Sequence, residues 1–112
     1  MQTTDLHCHV LPEVDDGPTS TEESIAMCEA FVSAGVHRVA VTPHVNDRWG
    51  SRPERIRDAL ENLRAELAAS SVPLTLESGG EISLLTATEL DSETLDCFRL
   101  NGGEWLLVEP PP

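Results

Sequence analysis

The run Asp5-Leu6-His7-Cys8-His9-Val10-Leu11-Pro12 stands near the start of the chain, and Asp15-Asp16-Gly17 follows it closely. Alternate side chains of an extended backbone share a face, so His7 and His9 project together, with Leu6 and Cys8 expected in the opposite layer. Two neighbouring imidazoles form the nucleus of a metal site. Asp16, a few residues on, adds a hard oxygen donor that biases such a site towards hydrolytic chemistry. An isolated H-x-H pair is more often a surface pair than a ligand pair, so the rest of the chain must decide.

The bulk composition narrows the classes of function. At 112 residues, the chain makes one domain at most, one that buries roughly 60 to 70% of its unfolded surface. Twenty acids against seven bases give a net charge of −13, which argues against binding nucleic acid or an anionic membrane and favours divalent cations. No apolar run approaches the ~18 residues of a membrane helix, and the N-terminus lacks the basic and apolar regions of a signal peptide. A cytoplasmic protein without membrane insertion is expected. Cys8, Cys28 and Cys97 are odd in number and lack C-x-x-C spacing, so reduced, mostly buried thiols are expected instead of disulfides or a thiolate zinc site.

Several elements must position the histidines. Thr3 to His7 reads as a strand, and Val10 to Pro18 as a loop. A helix then starts at a capping box formed by Thr19 and Glu22, and it ends at Gly35. Its apolar stripe is Ile25, Cys28 and Val32, flanked by Met27, Phe31 and Ala34. Val36 to Val41 reads as a buried parallel strand that stops at Thr42-Pro43, leaving His44 just past its end. His37, at the start of that strand, reads as an ordinary surface histidine.

Asn46 to Ser51 reads as a polar loop. Pro53 starts a second helix with Ile56, Leu60, Leu63 and Leu67 on its buried face. Arg48 and Arg52 belong either to a salt-bridged surface or to a contact with an anionic substrate. Val72 to Glu77 reads as a third strand, followed by Ser78-Gly79-Gly80-Glu81. Residues 86 to 97 read as a loop with a short helix near Ser92. Asn101-Gly102 reads as a hairpin turn joining Phe98–Leu100 to a fourth strand, Trp105 to Val108, which ends in Glu109.

The expected strands thus begin near residues 3, 36, 72 and 105, a spacing that suits successive strand-helix units. Each ends in a potential ligand. His7 and His9, then His44, Glu81 and Glu109, converge on one mouth if the strands are parallel, as active sites do in barrels of alternating strands and helices. A salt-bridged rim is the alternative; a polynuclear metal site explains the placement at all four ends.

These motifs, together with Val14-Asp15-Asp16-Gly17, Thr42-Pro43-His44, Gly80-Glu81 and Leu106-Leu107-Val108-Glu109, resemble the polymerase-and-histidinol-phosphatase (PHP) superfamily. Within it they resemble the bacterial manganese-dependent protein-tyrosine phosphatases of the CpsB and YwqE type, from residue 3 to the end. The resemblance implies an α/β fold, the N-terminal half of a distorted (β/α)7 PHP barrel with about four mainly parallel strands and flanking helices. Its implied metal ligands are His7, His9, Asp16, His44, Glu81 and Glu109, the last bridging two ions, with Asp5 behind them. The implied cofactor is a divalent cluster, Mn before Fe or Zn, and the implied partner is a phosphotyrosine protein, a tyrosine kinase of capsule or exopolysaccharide synthesis. Clustered ions make a cysteine nucleophile unnecessary, so Cys8 is not expected to be catalytic.

The resemblance also implies a second half, absent from residues 1–112. That half would carry a further histidine beside an arginine and an aspartate-histidine pair. Residues 1–112 are thus expected to form a partial domain, inactive alone and able to self-associate through open barrel edges. A non-catalytic metal-binding remnant, an associating half-domain and a histidinol-phosphate phosphatase are the alternatives.

Overall fold

The computed structural model describes residues 3–50 and 52–112; the last residue of the expected Asn46 to Ser51 loop lies outside them. The chain runs β1 (Thr3–Cys8), α1 (Thr21–Ser33), β2 (Val36–Val41), β3 (His44–Val45), α2 (Pro53–Ala69), β4 (Thr75–Glu77), β5 (Glu81–Ser83), α3 (Leu84–Glu89), α4 (Ser92–Asp96), a 3-10 turn (Leu100–Gly102) and β6 (Leu107–Glu109). Strands β1, β2 and β4 form one parallel sheet in the order β1-β2-β4, and β3, β5 and β6 form a second in the order β3-β5-β6. It is a mixed α/β fold with parallel strands. No helix is long and apolar enough to cross a membrane among the described residues.

The two sheets are continuous in register. Ala40 faces Glu77, and His44 faces Glu81, so both pairs lie 37 residues apart. β2 and β4 therefore break side by side and resume as β3 and β5 without slipping. The amide of Glu81 donates to Pro43 O at 2.9 Å and bridges the break. Gly79 and Gly80 permit the close approach: a Cβ on Gly79 would lie 3.2 Å from Val41 O, and one on Gly80 would lie 3.0 Å from the Phe98 ring. The expectation of one strand end at Thr42 and a simple turn at Ser78 to Gly80 is corrected accordingly.

Helices α1 and α2 cover one face of the first sheet. Cys8, Cys28, Val39, Val41, Leu60, Leu63, Leu67 and Leu76 make the core between them, as the helical spacing predicts for α2. The cap of α1 lies one residue later than expected. Ser20 Oγ accepts from Glu23 N, and a Glu23 carboxylate oxygen accepts from Thr19 N, because Ser20 is the residue with extended backbone at the N-cap. Ser24 is buried on this helix, whereas Met27 is exposed. Gly35, at φ +87, ends the helix as predicted.

Three further expectations change. Pro73 lacks an amide, and Leu74 N turns back to Val72 O, so β4 starts at Thr75 instead of Val72. Residues 84–97 hold two short helices, with Ser83 and Asp91 capping them. Asn101 and Gly102 both take positive φ, the conformation of a tight hairpin turn, and Leu100 O accepts from Gly103 N. A single bond, from Leu100 N to Trp105 O at 2.8 Å, joins its two arms, and no strand pairing continues from it: Asn101 N donates to Ser78 O and β6 pairs in parallel with β5. The turn thus packs Phe98 under the second sheet, beside Val45 and Ile82.

Overpacking at the break gives a direct test. Replacing Gly80 by Ala pushes a methyl into the buried Phe98 ring and should cost about 1 to 3 kcal/mol. A lowered thermal midpoint relative to wild type checks it; an unchanged midpoint means that Phe98 yields freely.

Candidate metal centre

The site is assembled where strands end. β1 pairs with β2 through Asp5 with Val39 and Cys8 with Val41, so three residues of β1 advance against two of β2. This bulge puts Asp5 and Cys8 on the core face together. It also places Leu6 on the other face, where it is 61% exposed, correcting the expected pairing of Leu6 with Cys8. His7 and His9 do project together, with ring centroids 5.3 Å apart. Thr42 secures this turn, since its Oγ1 accepts from Cys8 N at 2.9 Å and its amide donates to Cys8 O at 2.8 Å.

Glu81, at the start of β5, sits beneath the histidines. One of its carboxylate oxygens lies 2.8 Å from His7 Nε2 and 2.6 Å from His9 Nε2, and 3.7 Å from His44 Nδ1. Burial pushes the Glu81 carboxyl up, but hydrogen bonds with His7 and His9 and the charges of His7 and His44 outweigh it and hold it below the usual range. His44, the first residue of β3, packs edge-on against His9 with centroids 4.3 Å apart. Asp16 Oδ1 lies 3.4 Å from His9 Nδ1 and 3.5 Å from His44 Nε2. Glu109, at the end of β6, comes within 4.0 Å of His44 Nδ1.

The six side chains form three overlapping triads: His7, His9 and Glu81; His9, Asp16 and His44; and His44, Glu81 and Glu109. Within each triad the candidate donor atoms lie within 4.8 Å of one another. The donor chemistry fits divalent metal: three imidazoles and three carboxylates combine nitrogen with hard oxygen. His44 Nδ1 supplies a further observation, because it is buried and has no hydrogen-bond partner. Its carboxylate neighbours at 3.7 and 4.0 Å are too distant for a hydrogen bond, and a buried polar atom with no partner is costly. A divalent ion held by His44 would remove that cost.

Other candidates fall elsewhere. Asp5 Oδ1 accepts from the His7 amide at 2.9 Å and so steadies the backbone of His7. Arg48 stacks on Trp49, 5.0 Å from the ring centroid, and Arg52 is exposed at the N-cap of α2; among the described residues no arginine pairs with a carboxylate of the cluster. His37 Nδ1 bonds Gly35 O at the far end of β2. Sequence reasoning passed over Thr42 and Asp15. The side chain of Asp15 is fully buried, with Oδ2 accepting from His44 N and Oδ1 from Gly17 N, both at 2.9 Å. Adjacent acids before a glycine were the available signal, and they do not tell which acid turns inward.

Cys8 lies beside the site yet cannot act as a nucleophile at neutral pH. Burial, then Asp5, Cys28 and Asp15, push its thiol up to about 12, and burial followed by Glu29 pushes Cys28 up to about 11. With folded values above the unfolded one, these thiols stabilise the fold fully below the ordinary value of 9.0 and lose that contribution as pH rises through about 11 to 12. Iodoacetamide at pH 8 should therefore label exposed Cys97 and reach Cys8 and Cys28 only after denaturation. Mass mapping of the labelled peptides checks this. Mn²⁺ titration of single variants tests the cluster itself: His7→Ala should weaken binding by tenfold or more, since it removes a donor, while His37→Ala should match wild type. Equal losses would remove the cluster's claim to the metal.

The sequence matches the profile of the family described as "Capsular polysaccharide synthesis, CpsB/CapC" over residues 3–112. It is 33% identical over 108 residues to the tyrosine-protein phosphatase YwqE of Bacillus subtilis, covering 96% of this chain and 42% of that protein. It is 29% identical over 108 residues to the putative tyrosine-protein phosphatase CapC of Staphylococcus aureus, with the same two coverages. A crystal structure from work on YwqE of Bacillus subtilis and CpsB of Streptococcus pneumoniae, called unique metal-dependent tyrosine phosphatases, superposes with a TM-score of 0.88 at 33% identity. That alignment covers 97% of this chain and 44% of the other, so the chain spans less than half the length of these relatives. With the profile matched along nearly its whole length, the chain belongs to the CpsB/CapC family of capsular polysaccharide synthesis.

Proposed function

We propose that residues 1–112 are the metal-holding part of a metal-dependent phosphomonoester hydrolase that acts on phosphotyrosine in the cytoplasm, with a tyrosine kinase of capsule or exopolysaccharide synthesis as its protein substrate. The observation that carries this reading is the convergence of His7, His9, Asp16, His44, Glu81 and Glu109 from β1, its following loop, β3, β5 and β6. Relatives described as tyrosine-protein phosphatases and as metal-dependent support it. The architecture proposed is the N-terminal half of a distorted (β/α)7 PHP barrel, and the proposed ligand set is those six residues.

Divalent ions held there, Mn²⁺ before Fe or Zn, supply Lewis-acid polarisation of the phosphate ester and activation of water. The chain's own residues do the positioning. Glu81, shared by two triads, ties His7 on β1 and His9 just after it to His44, and His9 and His44 each join two triads, so displacing any of the three would disturb more than one triad. Phosphoryl transfer demands such fixed geometry. A phosphate clamp must come from Arg48 or Arg52 by closure of their loop, or from a segment outside these residues.

The chain alone should accordingly turn over p-nitrophenyl phosphate and a phosphotyrosine peptide far below the ~10 s⁻¹ of a typical enzyme, even with excess Mn²⁺. A version extended to family length should prefer the phosphotyrosine peptide to histidinol phosphate. Comparison with His9→Ala and Glu109→Ala variants assigns any activity to the cluster. Full turnover by the 112-residue chain, abolished by both substitutions, would show that these six donors suffice.

A further inference from the structure

We infer that Asp15 is a positioning residue: by taking the place of a strand at the open edge of β3, it sets the separation of His44 from Asp16. The inference rests on the metal-binding reading above. Backbone direction supplies the argument. Successive residues of an extended strand send their amides to opposite sides. Thr42 N points to β1, where it donates to Cys8 O; Pro43 O points to β5, where it accepts from Glu81 N. His44 N therefore points again to the β1 side.

A continued parallel ladder would offer it the carbonyl two residues beyond Cys8. The chain leaves the ladder at Cys8, however, and swings His9 into the cluster. His44 N would then be a partly buried donor with no protein acceptor, which is unfavourable. Asp15 Oδ2 fills the vacant acceptor position at 2.9 Å.

The other oxygen of Asp15 does a second job. Oδ1 accepts from Gly17 N at 2.9 Å, closing a tight turn with Asp16 at its tip. The turn is pressed against His9: a Cβ on Gly17 would stand 2.7 Å from His9 O and 3.1 Å from Asp15 Oδ1. One carboxyl group thus holds the backbone of His44 with one oxygen and the Asp16 turn with the other. These two residues, with His9, form one of the three triads. Asp15 itself lies 3.9 Å from His9 Nδ1, beyond hydrogen-bond reach, so it acts through the backbone.

Asp15→Asn is the discriminating variant, because an amide has one acceptor and must turn its NH₂ towards one of the two N–H donors. Hydrogen exchange of the 112-residue chain should show the His44 and Gly17 amides protected in wild type and at least one of the two exchanging at least tenfold faster in D15N. The amides of His7, held by Asp5, and of Val39 should keep their rates. Mn²⁺ affinity should fall between tenfold and a hundredfold. A wild-type His44 amide that exchanges like free peptide, a measurement that does not depend on the variant folding, overturns the proposal, as does unchanged protection of both the His44 and the Gly17 amides in D15N. Wild-type chain that binds no Mn²⁺ would defeat the metal reading instead, and the His44 exchange rate would still decide the role of Asp15.

Discussion

Everything at the site depends on two neighbouring strands breaking at the same height. Had β4 broken one residue earlier or later than β2, Glu81 would face the opposite side of the sheet from His44, since side chains alternate with a period of two. Both sides of the break are built for the match. Pro43 ends the run of β2 amides but offers its carbonyl to Glu81; Gly79 and Gly80 remove the Cβ atoms that Val41 O and Phe98 would otherwise meet. The retained 37-residue offset puts His44 and Glu81 level on adjacent strands, and β6 then brings Glu109 in beside Ser83.

Charge runs against this convergence. Three carboxylates gather in a chain of net charge −13, and among the described residues no arginine pairs with them. The imidazoles do that work. Two hydrogen bonds from His7 and His9 to a single Glu81 oxygen keep its carboxyl below the usual range despite burial. If these nitrogens and oxygens hold the cation proposed above, its donors are already gathered before it binds. A preformed donor set costs little reorganisation on binding.

The fold was legible in sequence wherever a local rule acts over several residues. The stripe Ile56, Leu60, Leu63 and Leu67, Pro53 at the first helical position and Gly35 after α1 all specify their elements without tertiary help. The convergence of His7, His9, His44, Glu81 and Glu109 was legible too, because the regular spacing of strand and helix implies parallel strands that end at one side; Asp16, on the loop after β1, was legible only as a carboxylate close to the histidines and through the family resemblance. What escaped has a common cause. β3, β5 and β6 have two or three residues each, too few to carry a periodic signal, and their pairing is dictated by neighbours distant in sequence. Asn101 and Gly102 took the predicted turn conformation, but the bond from Asn101 N to Ser78 O redirected the chain. Asp15 and Thr42 were hidden for the same reason: what they satisfy is an amide or carbonyl left over by another strand.

The bulge in β1 links the site to the face of the first sheet that no helix covers among the described residues. A strand without it would send His7 and His9 to the same side as Asp5, which faces the α1 and α2 core with Val39. The extra residue returns Cys8 to that core and turns both histidines away from it. Leu6 goes with them, onto the face where Trp105 is 76% exposed and Leu100 and Ala40 line a depression between the two. Parallel sheets are as a rule covered on both faces; here the helix side is, whereas the other side has Leu100 and Trp105 over Ala40 but leaves Leu6 exposed. The backbone irregularity that makes a metal-binding mouth therefore also leaves Leu6 and Trp105 in water, a hydrophobic cost that stands as long as nothing packs there.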